Sequence, residues 1–166
     1  MKVVSFNMRE LGGGEKRVET SRFVNEKHPF VLCIQETKWN VVNDLMNKSI
    51  WGDVLCGYSY QPSIGAFTGL VTVWDRFRID VWSTMSFGDV FIIKGKVIMT
   101  EEEFIIFNLY APCDLVAERE LWERLVPMIL NYSDICLCLC GDFNSVRNIE
   151  EQKGRSSVFR QLDAKF

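Results

Sequence analysis

Six short apolar runs are the feature of this sequence that most constrains its fold. Each is rich in β-branched or other large apolar residues, is bounded by turn residues and is predicted to be a β-strand. The runs are KVVSF, FVLCIQ, GLVTVW, FIIKGKVI, EFIIFNLY and DICLCLC. Several are apolar on both faces, which predicts central strands that are covered on each side.

Two amphipathic helices are predicted between these strands. The first runs from Glu15 to Lys27, and the second begins after Asp114 as its N-cap, with a kink or an early end at Pro127. Strands and helices alternate unevenly, with a β-rich middle between two βα units. The chain is therefore predicted to form a layered α/β sandwich of helices and mixed sheet rather than a regular doubly wound fold.

The length and charge of the chain limit the function classes open to it. At 166 residues it is predicted to be a single domain spanning 1–166. A formal net charge of -3 gives no overall positive field to gather nucleic acid or anionic membrane, so a phosphate partner must be held locally. The start MKVVSFNMRE lacks the apolar segment of a signal peptide, and no apolar run approaches the roughly 18 residues of a membrane span. We therefore expect an intracellular protein of the nucleus or cytoplasm, neither secreted nor bound to a membrane.

Six cysteines could form a disulfide framework or a metal site. An intracellular chain keeps its thiols reduced, so no disulfide and no disulfide-linked partner is expected. Cys136, Cys138 and Cys140 lie two residues apart, which places them on one face of a strand where they cannot pair with one another. Zinc sites use a turn between paired ligands, and this run has none. The three are therefore predicted to be small buried hydrophobic residues.

Polar residues stand where four of the apolar runs end, and they are the candidate site residues. They are Asn7, Arg9, Glu36, Tyr110, Asp142 and Asn144. In sheet proteins with helical cover, binding residues collect at strand ends, because the strands fix position and the loops are free to vary. Four such ends with compatible chemistry predict a single polar site for metal or phosphate.

Each candidate has a chemical role and a plainer alternative. Asp142 could orient or deprotonate a water while Asn144, two residues on, donates to a phosphate oxygen, but GDFN could equally be a turn. Glu36 could anchor Mg²⁺, which needs only one or two carboxylates, or be a solvated glutamate. Asn7 could contact phosphate together with Arg9, or both could belong to a polar loop.

Tyr110 and His28 are the two remaining residues with side chains suited to such a site. Tyr110 could donate to an oxyanion, or it could be a buried tyrosine whose hydroxyl has another partner. His28, the only histidine, is predicted to be a surface loop residue.

Five motifs occur in order over nearly the whole chain: SFNMRELGG, PFVLCIQETK, GAFTGLVTVWD, NLYAPCD and CLCLCGDFNSVRN. They resemble the opening strand, the Q-E-T-K motif, the glycine-rich turn with its W-D strand, and the Y-A-P and G-D-F-N motifs of one family. That family is the endonuclease/exonuclease/phosphatase superfamily, which includes exonuclease III, apurinic endonucleases and DNase I. Within that superfamily, the five motifs are most similar to those of the endonuclease domain of plant LINE-type, non-LTR retrotransposons.

The resemblance implies a four-layer α/β sandwich of the DNase I-like type, with two mixed sheets packed face to face and helices outside. It also implies hydrolysis of phosphodiesters in DNA with Mg²⁺ or Mn²⁺ as the cofactor. Site roles carry over by position. Glu36 would bind the metal, Asn7 would organise that site, Tyr110 would contact the scissile phosphate, Asp142 would orient or activate water, and Asn144 would support phosphate binding.

The sequence departs from the family toward its carboxyl end. The family's S-D-H motif, whose histidine completes the site, is absent, and the chain is expected to lack the family's last strands. A positioned acid or base supplies about 10²- to 10⁴-fold in rate, so we expect endonuclease activity to be weak or absent. A catalytically inactive retrotransposon remnant and a phosphate- or nucleic-acid-binding module stay open as alternatives. A full-length parent could carry a reverse transcriptase domain.

Overall fold

The computed structural model describes residues 1–8, 14–52, 55–65, 68–132 and 134–144. These residues form eight strands and three helices. In chain order they are β1 (Val3–Asn7), α1 (Gly14–Lys27), β2 (Val31–Gln35), α2 (Asp44–Trp51), β3 (Cys56–Gln61), β4 (Leu70–Asp75), β5 (Ile79–Phe87), β6 (Val90–Val97), β7 (Glu103–Tyr110), α3 (Leu115–Leu130) and β8 (Cys136–Asp142). No helix within these ranges is both long enough and apolar enough to cross a membrane.

The strands form two mixed sheets of four strands each. The first has the order β1-β2-β4-β3, with β1 and β2 parallel, and the second has the order β5-β6-β7-β8, with β7 and β8 parallel. Buried residues of both sheets share one core, among them Cys33 and Leu70 from the first sheet and Ile93 and Ile106 from the second. The two sheets therefore pack face to face, as the resemblance implied.

Helices cover the outer face of each sheet. Val24 of α1 and Ile50 of α2 pack with Leu32 over the first sheet. Leu121 and Leu125 of α3 belong to the core over the second sheet. The order helix, sheet, sheet, helix confirms the predicted four-layer α/β sandwich.

β2 shows why several runs have no polar face. All five of its residues are buried. Leu32 and Ile34 belong to the core under the helices, whereas Val31 and Cys33 belong to the core between the sheets. A strand between two apolar layers carries apolar side chains at every position.

Three elements were not predicted: β3, β5 and α2. β3 and β5 are edge strands of their sheets, and β5 alternates between more and less exposed residues because one of its faces is solvated. α2 has only eight residues. Its start is marked by Asn43, whose side chain accepts from the Met46 N–H at 3.0 Å, and its end by Gly52 at φ 85°.

The two predicted helices are present. Asp114 is the N-cap of α3, where its side chain accepts from the N–H groups of Val116 and Ala117. Of the two outcomes predicted at Pro127, a kink or an early end, the early end does not occur, since α3 continues to Leu130. Proline removes one helical hydrogen bond, but apolar residues of α3 such as Leu125 hold the helix against the second sheet.

The cysteines of β8 only partly follow the prediction. Cys138 and Cys140 are half-buried and pack against the core between the sheets. Cys136 is exposed rather than buried, because it opens a strand at the edge of its sheet. All six cysteines are free thiols.

Candidate active site

Parallel strand pairs bring five of the six candidate residues to one end of the sandwich. They are Asn7, Glu36, Tyr110, Asp142 and Asn144. In the first sheet, Asn7 pairs in register with Gln35, which directly precedes Glu36. In the second sheet, Tyr110 pairs with Asp142. Arg9, the sixth candidate, lies outside the described residues.

Asn7 joins the two sheets at this end. Its side-chain nitrogen Nδ2 donates to Glu36 Oε1 at 3.0 Å. The same nitrogen donates to Asp142 Oδ2. Glu36 follows β2 and Asp142 ends β8, so carboxylates from two different sheets contact one atom. All three side chains are half-buried, which leaves them accessible to a ligand from solvent.

A glycine permits the position of Asp142. Gly141 has φ 147°, and a Cβ on it would lie 1.9 Å from the carbonyl oxygen of Leu109, its partner on β7. No side chain fits at that distance, so β8 can approach β7 here only through glycine. The carbonyl oxygen of Asp142 then accepts from the Ala111 N–H at 2.7 Å.

Asn144 turns the chain immediately after β8. Its backbone N–H donates to Asp142 Oδ1 at 2.9 Å, and its side-chain Nδ2 donates to the Ala111 carbonyl at 2.6 Å. Aspartate accepting from the N–H two residues on is an Asx-turn. The turn and the site are therefore not alternatives, because the turn is what orients Asp142.

The Tyr110 side chain lies beside the same groups. Burial raises the pKa of Tyr110 above its ordinary value, a hydrogen bond with Asn144 lowers it, and the negative charge of Glu36 raises it. The net shift is upward. The phenol therefore stays protonated at neutral pH and can donate a hydrogen bond to an anion.

Two of these residues have a left-handed backbone. Glu36 has φ 54° and Asn144 has φ 47°. Asparagine adopts this region fairly often, but for other side chains such strain costs about 1–3 kcal/mol and persists only where neighbours fix the chain. Directly after Glu36, the Thr37 N–H donates to the Gly69 carbonyl at 3.3 Å. Strain of this kind is concentrated at functional sites.

The donor groups at this end are those that a hard cation takes. Glu36 and Asp142 supply carboxylates, while Asn7 and Tyr110 add amide and phenolic oxygens. Mg²⁺ is held by one or two carboxylates and completes its coordination with waters and substrate phosphate. Across the described ranges, no three residues of the types His, Cys, Asp and Glu gather to hold a metal ion. The cluster formed by Asn7, Glu36, Tyr110, Asp142 and Asn144 offers mainly oxygen donors, which are the ligands of a hard cation such as Mg²⁺ or Mn²⁺ rather than those of a cysteine- and histidine-rich zinc site.

His28 lies at the opposite end of β2 from Glu36. It is exposed, and its carbonyl oxygen accepts from Arg78 Nη1 at 3.4 Å. The structure therefore confirms the prediction of a surface residue. The only imidazole in the sequence does not take part in the cluster.

Two buried amides lie behind the cluster, and the pattern of polar strand ends did not predict them. Gln35 and Asn108 are fully buried and hydrogen-bonded to each other at 2.6 Å. Their signal in the sequence was an amide within or at the end of an otherwise apolar run, in VLCIQ and FIIFNL.

Solved structures share this architecture. The catalytic domain of human Nocturnin matches with a TM-score of 0.62 and 14% identity, over 89% of this chain and 65% of that one. An endonuclease/exonuclease/phosphatase from Bacteroides vulgatus matches with a TM-score of 0.63 and 13% identity, over 86% of this chain and 65% of that one. The chain has the endonuclease/exonuclease/phosphatase fold.

The endonuclease/exonuclease/phosphatase fold also occurs in a mannosyl-6-phosphatase from Bacteroides thetaiotaomicron. That protein matches with a TM-score of 0.61 and 16% identity, over 87% of this chain and 65% of its own. The chain thus spans about 65% of the length of these three structures. No family model and no curated protein matches the sequence.

Proposed function

We propose that this chain carries a metal-dependent phosphodiesterase site that cleaves DNA, with Mg²⁺ as its cofactor and Mn²⁺ able to replace it. The observation that carries the proposal is the contact of Asn7 with Glu36 and Asp142, which brings carboxylates of both sheets to one point beside Tyr110. Phosphate esters as substrates agree with the mannosyl-6-phosphatase and with ANGEL2, a 2′,3′-cyclic phosphatase of the same fold.

The residues of three motifs support a more specific proposal about the substrate and the origin of the chain. QETK, YAPC and GDFN favour a nuclease over a lipid or inositol phosphatase. We therefore infer a DNA substrate and a plant LINE-type retrotransposon as the source. A reverse transcriptase domain in a longer parent chain belongs to the same proposal.

Each residue of the cluster has a separate role in the proposed reaction. A bound metal would supply Lewis-acid chemistry, stabilising the negative charge that develops on the phosphoryl and leaving oxygens. Glu36 would hold that metal, and Asn7 fixes the directions of Glu36 and Asp142 through its two hydrogen bonds. Asp142 would supply the second carboxylate of the cation site and would orient the attacking water beside it. Tyr110 and the second amide proton of Asn144 donate to phosphate oxygens, with Arg9 as a further phosphate contact.

One observation favours a second function, a module that binds phosphate or nucleic acid without cleaving it. His28 is the only histidine, and it lies at the far end of β2. No imidazole of these 166 residues can therefore act as acid or base at the cluster. A binding module would show affinity that falls with rising salt, and no turnover.

A plasmid-nicking assay with Mg²⁺ tests the proposed function. We expect the wild-type chain to nick supercoiled plasmid, EDTA to stop it, and Asp142→Asn to lower the rate by about 10²- to 10⁴-fold. Glu120→Gln is the matched control, because Glu120 is an exposed carboxylate on α3 that pairs with Arg124 at 3.5 Å. Nicking that survives both EDTA and Asp142→Asn would contradict the proposal. Salt-dependent binding without nicking would favour the second function.

A further inference from the structure

A buried pair of amides joins the two sheets directly behind the site. Gln35 ends β2 in the first sheet, and Asn108 lies in β7 of the second. Both side chains have 0% exposure. Gln35 Nε2 donates to Asn108 Oδ1 at 2.6 Å, so the bond crosses the core between the sheets.

The two amides also bond to neighbouring strands. Gln35 Nε2 donates to Ser5 Oγ of β1 at 3.1 Å. Asn108 Nδ2 donates to two groups of β4, the Val71 carbonyl at 3.1 Å and Thr72 Oγ1 at 3.2 Å. Four strands therefore meet in one hydrogen-bond network, which we call the amide bridge.

Apolar residues make up most of the layer that contains the amide bridge, among them Cys33 and Ile106. A buried amide costs free energy unless its hydrogen bonds are made, so such a pair adds little net stability over apolar side chains. A buried network whose hydrogen bonds are all made does, however, favour one arrangement of the strands that it joins. The amide bridge therefore constrains how the two sheets lie relative to each other.

The amide bridge is close to both halves of the site. On the first sheet, Gln35 directly precedes Glu36 and pairs in register with Asn7. On the second sheet, Asn108 pairs with the β8 position two residues before Asp142. Any change in sheet spacing at the bridge therefore changes the separation of the two carboxylates.

We propose that Gln35 and Asn108 are positioning residues, which hold Glu36 and Asp142 close enough for Asn7 to contact both and for one divalent cation to bind them together. The cation part rests on the proposed function, whereas the geometric part rests on the hydrogen bonds alone. Loosening the amide bridge separates the carboxylates without removing any group of the site.

The side-chain amide signal of Asn7 in an NMR spectrum tests the geometric part without substrate or metal. The signal is assigned by its loss in Asn7→Ser. In the wild type, bonds to two carboxylates should give a shifted signal with slow hydrogen exchange. Asn108→Leu removes the bridge at similar volume, and we expect the signal to move toward that of a free amide and to exchange about tenfold faster.

Ile93→Val is the matched control for that variant. Ile93 is a fully buried residue of the same inter-sheet core, and it makes no side-chain hydrogen bond that could be lost. We expect this variant to leave the Asn7 signal unchanged. If Asn108→Leu does not fold, Thr72→Val replaces it, because it removes only one acceptor of Asn108 and should shift the signal in the same direction.

A Mn²⁺ titration followed by electron paramagnetic resonance tests the cation part. We expect Asn108→Leu to weaken Mn²⁺ binding about tenfold, and Ile93→Val to leave it unchanged. An unchanged Asn7 signal in folded Asn108→Leu would overturn the positioning role, whatever the activity. A wild type that shows the shifted Asn7 signal but binds no Mn²⁺ would overturn the proposed function instead. Even if the wild type binds no Mn²⁺, a move of the Asn7 signal toward that of a free amide in Asn108→Leu would support the positioning role.

Discussion

Asn7 at the end of β1 and Asp142 at the end of β8 are 135 residues apart in sequence and are joined by a hydrogen bond. Because Glu36 contacts the same nitrogen of Asn7, the site is formed by the meeting of two sheets rather than by one motif. Substitutions that change the distance between the two sheets, or between neighbouring strands, should therefore disturb the geometry of the site. The effect should be as large as that of removing one of its side chains.

Gly141→Ala should destabilise the chain and displace Asp142. The added Cβ would overlap the Leu109 carbonyl oxygen, and φ 147° is strained for alanine, so we expect a loss of at least about 2 kcal/mol in the free energy of unfolding. Gly88→Ala is the matched control, because Gly88 also has a positive φ, 55°, but a Cβ there meets nothing within 4 Å. Urea unfolding of both variants checks this, and equal losses would contradict it.

Glu36→Gly and Glu36→Ala should differ in stability while both lose activity. Each variant removes the carboxylate, but only glycine adopts φ 54° without strain. We expect the glycine variant to be more stable by about 1 kcal/mol in urea unfolding. Identical midpoints and slopes for the two variants would show that the backbone at Glu36 is not strained.

The midpoint of Tyr110 ionisation should lie above pH 10.0, because burial raises the pKa of the phenol above that ordinary value. A pKa higher in the folded than in the unfolded chain gives stability that is complete below pH 10.0 and is lost as pH rises through the folded-state pKa. The measurement is tyrosinate absorbance against pH, taken as the difference between wild type and Tyr110→Phe. A difference that titrates below pH 10.0 would contradict the direction of this shift.

Pro127→Ala should stabilise α3 without changing the site. Pro127 lies on the exposed face inside the helix and lacks the N–H that would bond the carbonyl four residues earlier. Restoring that bond should raise the free energy of unfolding by up to about 3 kcal/mol. The nicking rate should stay at the wild-type value. Thermal unfolding with no rise in midpoint would show that the surrounding helix already accommodates the proline.

The layers of this fold could be predicted from its sequence because the central strands are buried on both faces. In β2, Leu32 faces the helices and Cys33 faces the other sheet, so apolar residues at both positions indicate a covered strand. Edge strands lack this signal. Trp82 of β5 is 52% exposed, and the alternation around it gave no apolar run to detect.

The members of the candidate site could be named from the strand ends, but their contacts could not. Asn7, Glu36 and Asp142 were each identified as polar residues after an apolar run, and their roles stay predictions. Their meeting depends on strand order and register, which no local pattern contains. The same applies to Gln35 and Asn108, which bond across 73 residues of sequence.

The central claim is that Glu36 and Asp142, from different sheets, form one cation site. A double-mutant cycle on Mn²⁺ binding with Glu36→Gln, Asp142→Asn and the double variant tests it most directly. We expect each single variant to weaken binding about tenfold or more relative to the wild type. The loss in the double variant, also relative to the wild type, should be much smaller than the product of the two single losses. Losses that simply multiply, or an affinity that neither variant changes, would contradict a shared site.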